Sequence, residues 1–114
     1  MSPSDLDLLR HIQEETIFVL TNTSNKKLEN ILNDAVLSRA IIRSIEVIGE
    51  ASGKISNDFK AVHKEIEWKK IIATRHKLIH EYFGIDYEIV WDIIENKLPQ
   101  LHNAVMKILN PDNA

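Results

Sequence analysis

Cysteine is absent from this 114-residue chain. That excludes a disulfide framework, a thiolate metal centre and a cysteine nucleophile. Glycine and proline occur three times each, too few for a turn-rich β architecture. No apolar run approaches the ~20 residues that span a bilayer, and residues 1–5 lack the basic segment and apolar stretch of a signal peptide. A glycine-rich phosphate loop and a serine-triad signature are also missing. What is there is ordinary for a globular protein: 44% hydrophobic and 27% charged residues, with a net charge of −3. The expectation is one soluble domain over 1–114, cytoplasmic and without a membrane partner. So small a domain has a poor surface-to-volume ratio, which favours association with a second chain.

The acidic balance is uneven. Residues 1–59 carry 6 Lys/Arg against 9 Asp/Glu, residues 60–80 carry 6 against 2, and residues 81–114 carry 2 against 6. Three of the five histidines, His63, His76 and His80, fall in the basic segment. A local positive zone on an acidic protein can mark where an anion docks; the plain alternative is a solvated helix face. The acidic remainder argues against coating duplex DNA.

Apolar periodicity predicts four or five helices and no strand. Ser4 and Asp7 form a capping-box pattern, opening a helix over 5–21 that carries Leu6, Leu9, Ile12, Thr16, Val19 and Leu20. A polar loop over 21–25 leads to a short turn around Leu28, Ile31 and Leu32. A long helix over 34–54 then presents Leu37, Ile41, Ile45 and Ile48, with Arg39, Arg43, Glu46 and Glu50 along the opposite stripe at helical spacing. Ser56 or Asn57 can cap a short helix over 58–64. The next helix, 67–81, carries Trp68, Ile71, Ile72, Leu78 and Ile79, and Gly84 is its natural stop. Asp86 caps a last helix that Pro99 should kink or divide, and residues 110–114 form a fraying tail. The reading is an all-α antiparallel bundle.

The stretch TRHKLIHEYFG at 74–84 gathers the chemistry. Arg75 suits a phosphate, because its planar fork donates paired hydrogen bonds and stays charged. His80 suits proton transfer near neutral pH. His76 and Lys77 add positive or polar contacts, and Tyr82 offers a hydroxyl and a ring. On an ideal helix Arg75 and Tyr82 nearly align, whereas Arg75 and His80 lie about 140° apart. Either the helix unwinds near His80, or two copies of the motif meet across a dimer axis. His76 and His80 at i, i+4 could ligate a metal, but the glutamate of a zincin helix is missing between them and no third ligand is obvious. His11, His63 and His102 read as surface or boundary residues, and Trp68 and Trp91 as core.

Arg75, four residues, His80, one residue, Tyr82 resembles the signature of HEPN domains of the HepT-like ribonuclease toxin type. Residues 43–51, with Gly49-Glu50-Ala51, resemble that family's second-helix segment. Residues 66–72, 86–91 and 98–101 resemble its lead into the motif helix and its final helix. His76 departs from the asparagine often found there, and Glu67 from a common proline. The resemblance implies a homodimeric helical bundle acting as a cofactor-free, metal-independent endoribonuclease, in which a ribose 2′-OH attacks the adjacent phosphate. His80 would then be general base or acid, Arg75 the phosphate clamp, and His76, Lys77 and Tyr82 RNA contacts. Glu46 and Glu50 could orient Arg43 or Arg75. It also implies a small nucleotidyltransferase antitoxin that adenylylates Tyr82. DNA, without the 2′-OH, would not be cut. The alternatives are a non-catalytic nucleotide- or substrate-binding subunit of a nucleotidyltransferase, and a purely structural dimeric bundle.

Overall fold

Short polar side chains open the helices where the pattern places them. In the computed structural model, which describes residues 3–79 and 84–113, the Asp7 N–H donates to Ser4 Oγ at 3.1 Å and the Ser4 N–H to Asp7 Oδ2 at 3.3 Å. This reciprocal box starts α1 (Asp5–Thr23). After α2 (Leu28–Leu32), Asp34 caps α3 (Ala35–Lys54), and Ser56 caps α4 (Asn57–Val62). Then come α5 (Trp68–Ile79) and α6 (Tyr87–Asp92), the latter capped by Asp86. A π-helical turn (Ile93–Lys97) joins α6 to α7 (Leu98–Leu109), and a 3₁₀ turn follows at Pro111–Asn113. Gly84, at φ +147° shortly before α6, holds a backbone conformation that other residues rarely adopt; the end predicted for the preceding helix lies outside the described residues. Among the described residues there is no strand, so the all-α bundle is as expected.

Three local expectations are refined. Helix α1 runs two residues past the predicted end, through Thr23, which is buried and donates its hydroxyl to Val19 O at 2.8 Å. The loop begins only at Ser24. Pro99 does not merely bend its helix. It lacks an N–H, and the turn before it widens so that the Leu98 N–H donates to Ile93 O, five residues back. Leu6 belongs to the periodic set but is 43% exposed, whereas Leu8 and Leu9 are buried.

Helix α3 is the inner helix. It packs against α1 on one side and α5 on the other, and α1 also packs against α7. Ile41, Ile45 and Ile48 of α3 join Leu9, Ile12 and Val19 of α1 in one core with Leu78, Val90, Ile94, Leu98, Leu101 and Val105. Small buried residues, Ser38, Ser44, Gly49, Ala51 and Ser52, let both neighbours approach. The Ser52 hydroxyl donates to Ile48 O at 2.7 Å, so its burial leaves no unpaired donor.

Helices α1 and α3 are antiparallel, and their ends are tied. Asp5, at the start of α1, accepts from the Ser56 N–H at 2.9 Å and from the Ser56 hydroxyl at 2.7 Å. Ser56 Oγ also receives the Phe59 N–H, so one hydroxyl joins three elements. The Ser56 hydrogen bonds hold the Asp5 carboxyl below its ordinary pKa, and those of Ser4 do the same for Asp7.

A group with a depressed folded-state pKa contributes stability above its unfolded value, near 4, and loses it as pH falls through the folded value. In urea titrations at falling pH, the stability gap between the parent and Asp5→Asn therefore closes below about pH 4. At pH 7, Ser56→Ala lowers stability by about 1 kcal/mol through the lost cap.

Candidate active site on helix α5

The approach to α5 is built from rings. The Trp68 indole N–H donates to His63 O at 3.0 Å, closing the turn between α4 and α5. Phe59 lies 4.4 Å from the His63 ring, centre to centre, and 6.4 Å from Trp68, edge-on. Ile66 and Trp68 are buried. Trp68 is therefore core, as expected, and Trp91 is half-buried against the same core. This anchor sets the start of α5, and Leu78 buries its far end.

Arg75 is half-buried between those anchors. Its stem lies against Gly49 of α3: a Cβ placed on Gly49 would stand 2.5 Å from Arg75 Cβ, 3.1 Å from Cδ and 3.2 Å from Cγ. Arg75 Nε is buried and has no hydrogen-bond partner among the described residues. An unmatched buried donor costs about 1–3 kcal/mol, and charge adds to that. An arginine so placed offers its terminal nitrogens to an anion while its stem is packed.

The remaining candidates sit around it. His76 and Lys77 are exposed on α5. On α3, Arg43 is exposed and pairs with Glu46 at 3.8 Å, and Glu50 pairs with Lys54 at 3.4 Å. Among the described residues neither glutamate forms an ion pair with Arg75. Lys70 is held by Glu67 at 2.8 Å, which raises the lysine pKa and lowers that of the glutamate. His80 and Tyr82 lie outside the described residues. His11 is exposed and His63 pairs with Glu65 at 3.4 Å. No group of three or more His, Asp or Glu among the described residues could hold a metal ion, and no described helix is long and apolar enough to cross a membrane.

A groove of 130 Å³ runs beside α5. Its floor is aliphatic, with Ile45, Ile48, Ile71 and Leu101, and the Lys70–Glu67 pair stands at its rim. That lining suits apolar contact. The feature suited to a phosphate is Arg75, outside it.

Arg75, His76 and Lys77 were legible in the sequence as chemistry. The seat at Gly49 was not legible. The Gly49-Glu50-Ala51 segment and a glycine inside an otherwise strong helix marked the position, but not its contact with Arg75.

A family model described as HepT-like, ribonuclease HepT-like, matches residues 8–108. A Caldanaerobacter subterraneus protein named as a candidate RNase is 39% identical over 104 residues, covering 91% of this chain and 93% of its own length. A Thermococcus cleftensis protein named as a probable ribonuclease HepT is 38% identical over 108 residues, 95% of this chain and 98% of its own. A Methanocaldococcus jannaschii protein, also named as a candidate RNase, is 40% identical over 103 residues, 90% of this chain and 82% of its own. No solved structure gives a significant match.

Replacing Arg75 with methionine keeps the packed stem and removes the unmatched buried donor. Arg75→Met therefore unfolds in urea at the parent's midpoint or higher, by up to about 1 kcal/mol. A loss of 2 kcal/mol or more would show that the guanidinium has a stabilising partner.

Proposed function

The chain belongs to the HepT-like ribonuclease family, and from that membership we propose that it is a metal-independent endoribonuclease acting as one domain over residues 1–114. The observation that carries this reading is Arg75: a cation with its stem packed and its Nε buried without a partner, on a helix that also carries the exposed His76 and Lys77.

In the proposed reaction His80 takes the proton of a ribose 2′-OH. The oxygen attacks the adjacent phosphorus, and the bond to the following 5′-oxygen breaks. That oxygen leaves with a proton returned by His80 or its copy in a second chain. The products are a 2′,3′-cyclic phosphate and a 5′-hydroxyl. Arg75 binds the phosphate and the negative charge that grows on it, the kind of fixed cation that lowers such barriers most. His76 and Lys77 hold flanking phosphates. The chemistry asks for a proton carrier and a cation, and both are side chains of the motif.

The active form in this reading is a homodimer whose two 75–82 segments border one basic groove, which resolves the angular offset between Arg75 and His80. The cognate partner is a small nucleotidyltransferase antitoxin that places an adenylyl group on Tyr82. The added phosphate sets negative charge beside Arg75 and fills the groove, so cleavage falls.

Purified protein with total RNA and EDTA should yield 5′-hydroxyl and 2′,3′-cyclic phosphate ends, and an all-deoxy oligonucleotide should stay intact. Arg75→Ala and His80→Ala should each lower cleavage by about 100-fold or more at unchanged helicity. RNA bound but uncut by the parent protein would favour the non-catalytic subunit instead.

With the nucleotidyltransferase and ATP, intact-mass and peptide spectra should locate the adduct on Tyr82. Tyr87, half-buried in the first turn of α6, is the internal control. An adduct on Tyr87 alone overturns the assignment.

A further inference from the structure

We propose that Gly49 is a positioning residue for Arg75: the absence of a side chain on α3 at this point is what lets the arginine stem lie along the helix and fixes where its guanidinium stands. The proposal rests on the reading of Arg75 as the phosphate-binding cation.

Helix α3 has two glycines, Gly49 in its interior and Gly53 in its last turn, and they differ. A Cβ on Gly53 would meet nothing within 4 Å, and Gly53 is exposed. A Cβ on Gly49, which is buried, would meet three successive carbons of one side chain, at 2.5, 3.1 and 3.2 Å. Ordinary carbon–carbon contact is about 3.5–4.0 Å. The shortest distance is to Arg75 Cβ, an atom fixed to the backbone, so no rotamer relieves it. The stem must leave its place or α5 must move off α3, by roughly 1 Å.

A second observation makes that displacement matter. The guanidinium has no other anchor within the described residues: Nε lacks a hydrogen-bond partner, Glu46 pairs with Arg43, and Glu50 pairs with Lys54. Its position is set by packing of the stem. Helix formation alone would favour alanine at position 49, so the glycine weakens α3 and what it supplies in return is the close approach of Arg75.

The test compares Gly49→Ala with Gly53→Ala as a control on the same helix. Two readouts are taken: steady-state RNA cleavage per folded molecule, and the ¹H–¹⁵N signal of the Arg75 side-chain Nε–H, identified by its loss in Arg75→Lys. Gly53→Ala should leave both unchanged. Gly49→Ala should lower kcat by about 100-fold, the usual consequence of a misplacement near 1 Å. It should also shift the Nε–H signal and speed its exchange with water.

Parent-like kcat per folded molecule with an unmoved signal overturns the proposal, whatever happens to stability, because a merely structural glycine would behave that way. If the parent cuts no RNA, or Arg75→Ala still cuts, the function assigned to Arg75 fails. The Nε–H signal then decides the positioning role by itself. If Gly49→Ala does not fold, Gly49→Ala/Arg75→Gly removes the opposing carbons. Recovery of the fold supports the contact, and continued failure overturns it.

Discussion

The approach of α5 to α3 at Gly49 is the constraint on which the placement of the candidate site depends. Helix α3 buries nine of its 20 residues and meets α1 and α5 at once. Its large residues, Ile41, Ile45 and Ile48, fill the core, and its small ones set how near the neighbours come. At Gly49 the separation is shorter than any side chain would allow. The rest of α5 is positioned to suit: Trp68 fixes one end through His63 O, and Leu78 buries the other. An arginine has several rotatable bonds, and a free one would sample many positions. Packing its stem against backbone removes most of that freedom before any ligand arrives, so less entropy is lost on binding.

The charges around this seat are arranged in two groups. Lys70, Arg43 and Lys54 are each paired with a glutamate three or four residues away, in exposed contacts worth little to stability. Within 60–80, Lys70 is held by Glu67, whereas Arg75 and Lys77 form no ion pair among the described residues. The excess of basic residues there is thus not one uniform patch.

Helix starts were legible because capping is local. Ser4, Asp34, Ser56 and Asp86 each lie within three residues of the N–H groups they accept from, so sequence spacing carries the information. Ends and faces were less so. Thr23 looks like loop chemistry until its burial and its bond to Val19 O are seen. Leu6 fits the period as well as Leu9 does, but periodicity does not say where a stripe is centred. Pro99 announced a defect in its helix, and only the backbone shows that a widened turn absorbs it. The same division holds at the site. Arg75 is recognisable from its own chemistry and from its spacing to His80 and Tyr82. Its contact with Gly49 joins residues from different helices, and no local pattern encodes it.

The Arg75 arrangement has an energetic logic. A bundle of 114 residues has a stability of order 5–15 kcal/mol, so an unmatched buried donor on a guanidinium, at about 1–3 kcal/mol, is a sizeable fraction. A sequence shaped only by folding would replace Arg75 with an aliphatic residue, keeping the packed Cβ against Gly49 and removing the unmatched donor. Keeping the arginine instead leaves the free protein with a cation that is packed but under-bonded. In the reaction proposed above, an anion at the terminal nitrogens would offset the charge part of that cost, and most when its own charge is greatest. A phosphate passing through a five-coordinate state, with extra negative charge on its oxygens, would meet that condition better than the resting diester, so the proposed role of Arg75 carries a preference for the transition state over the substrate.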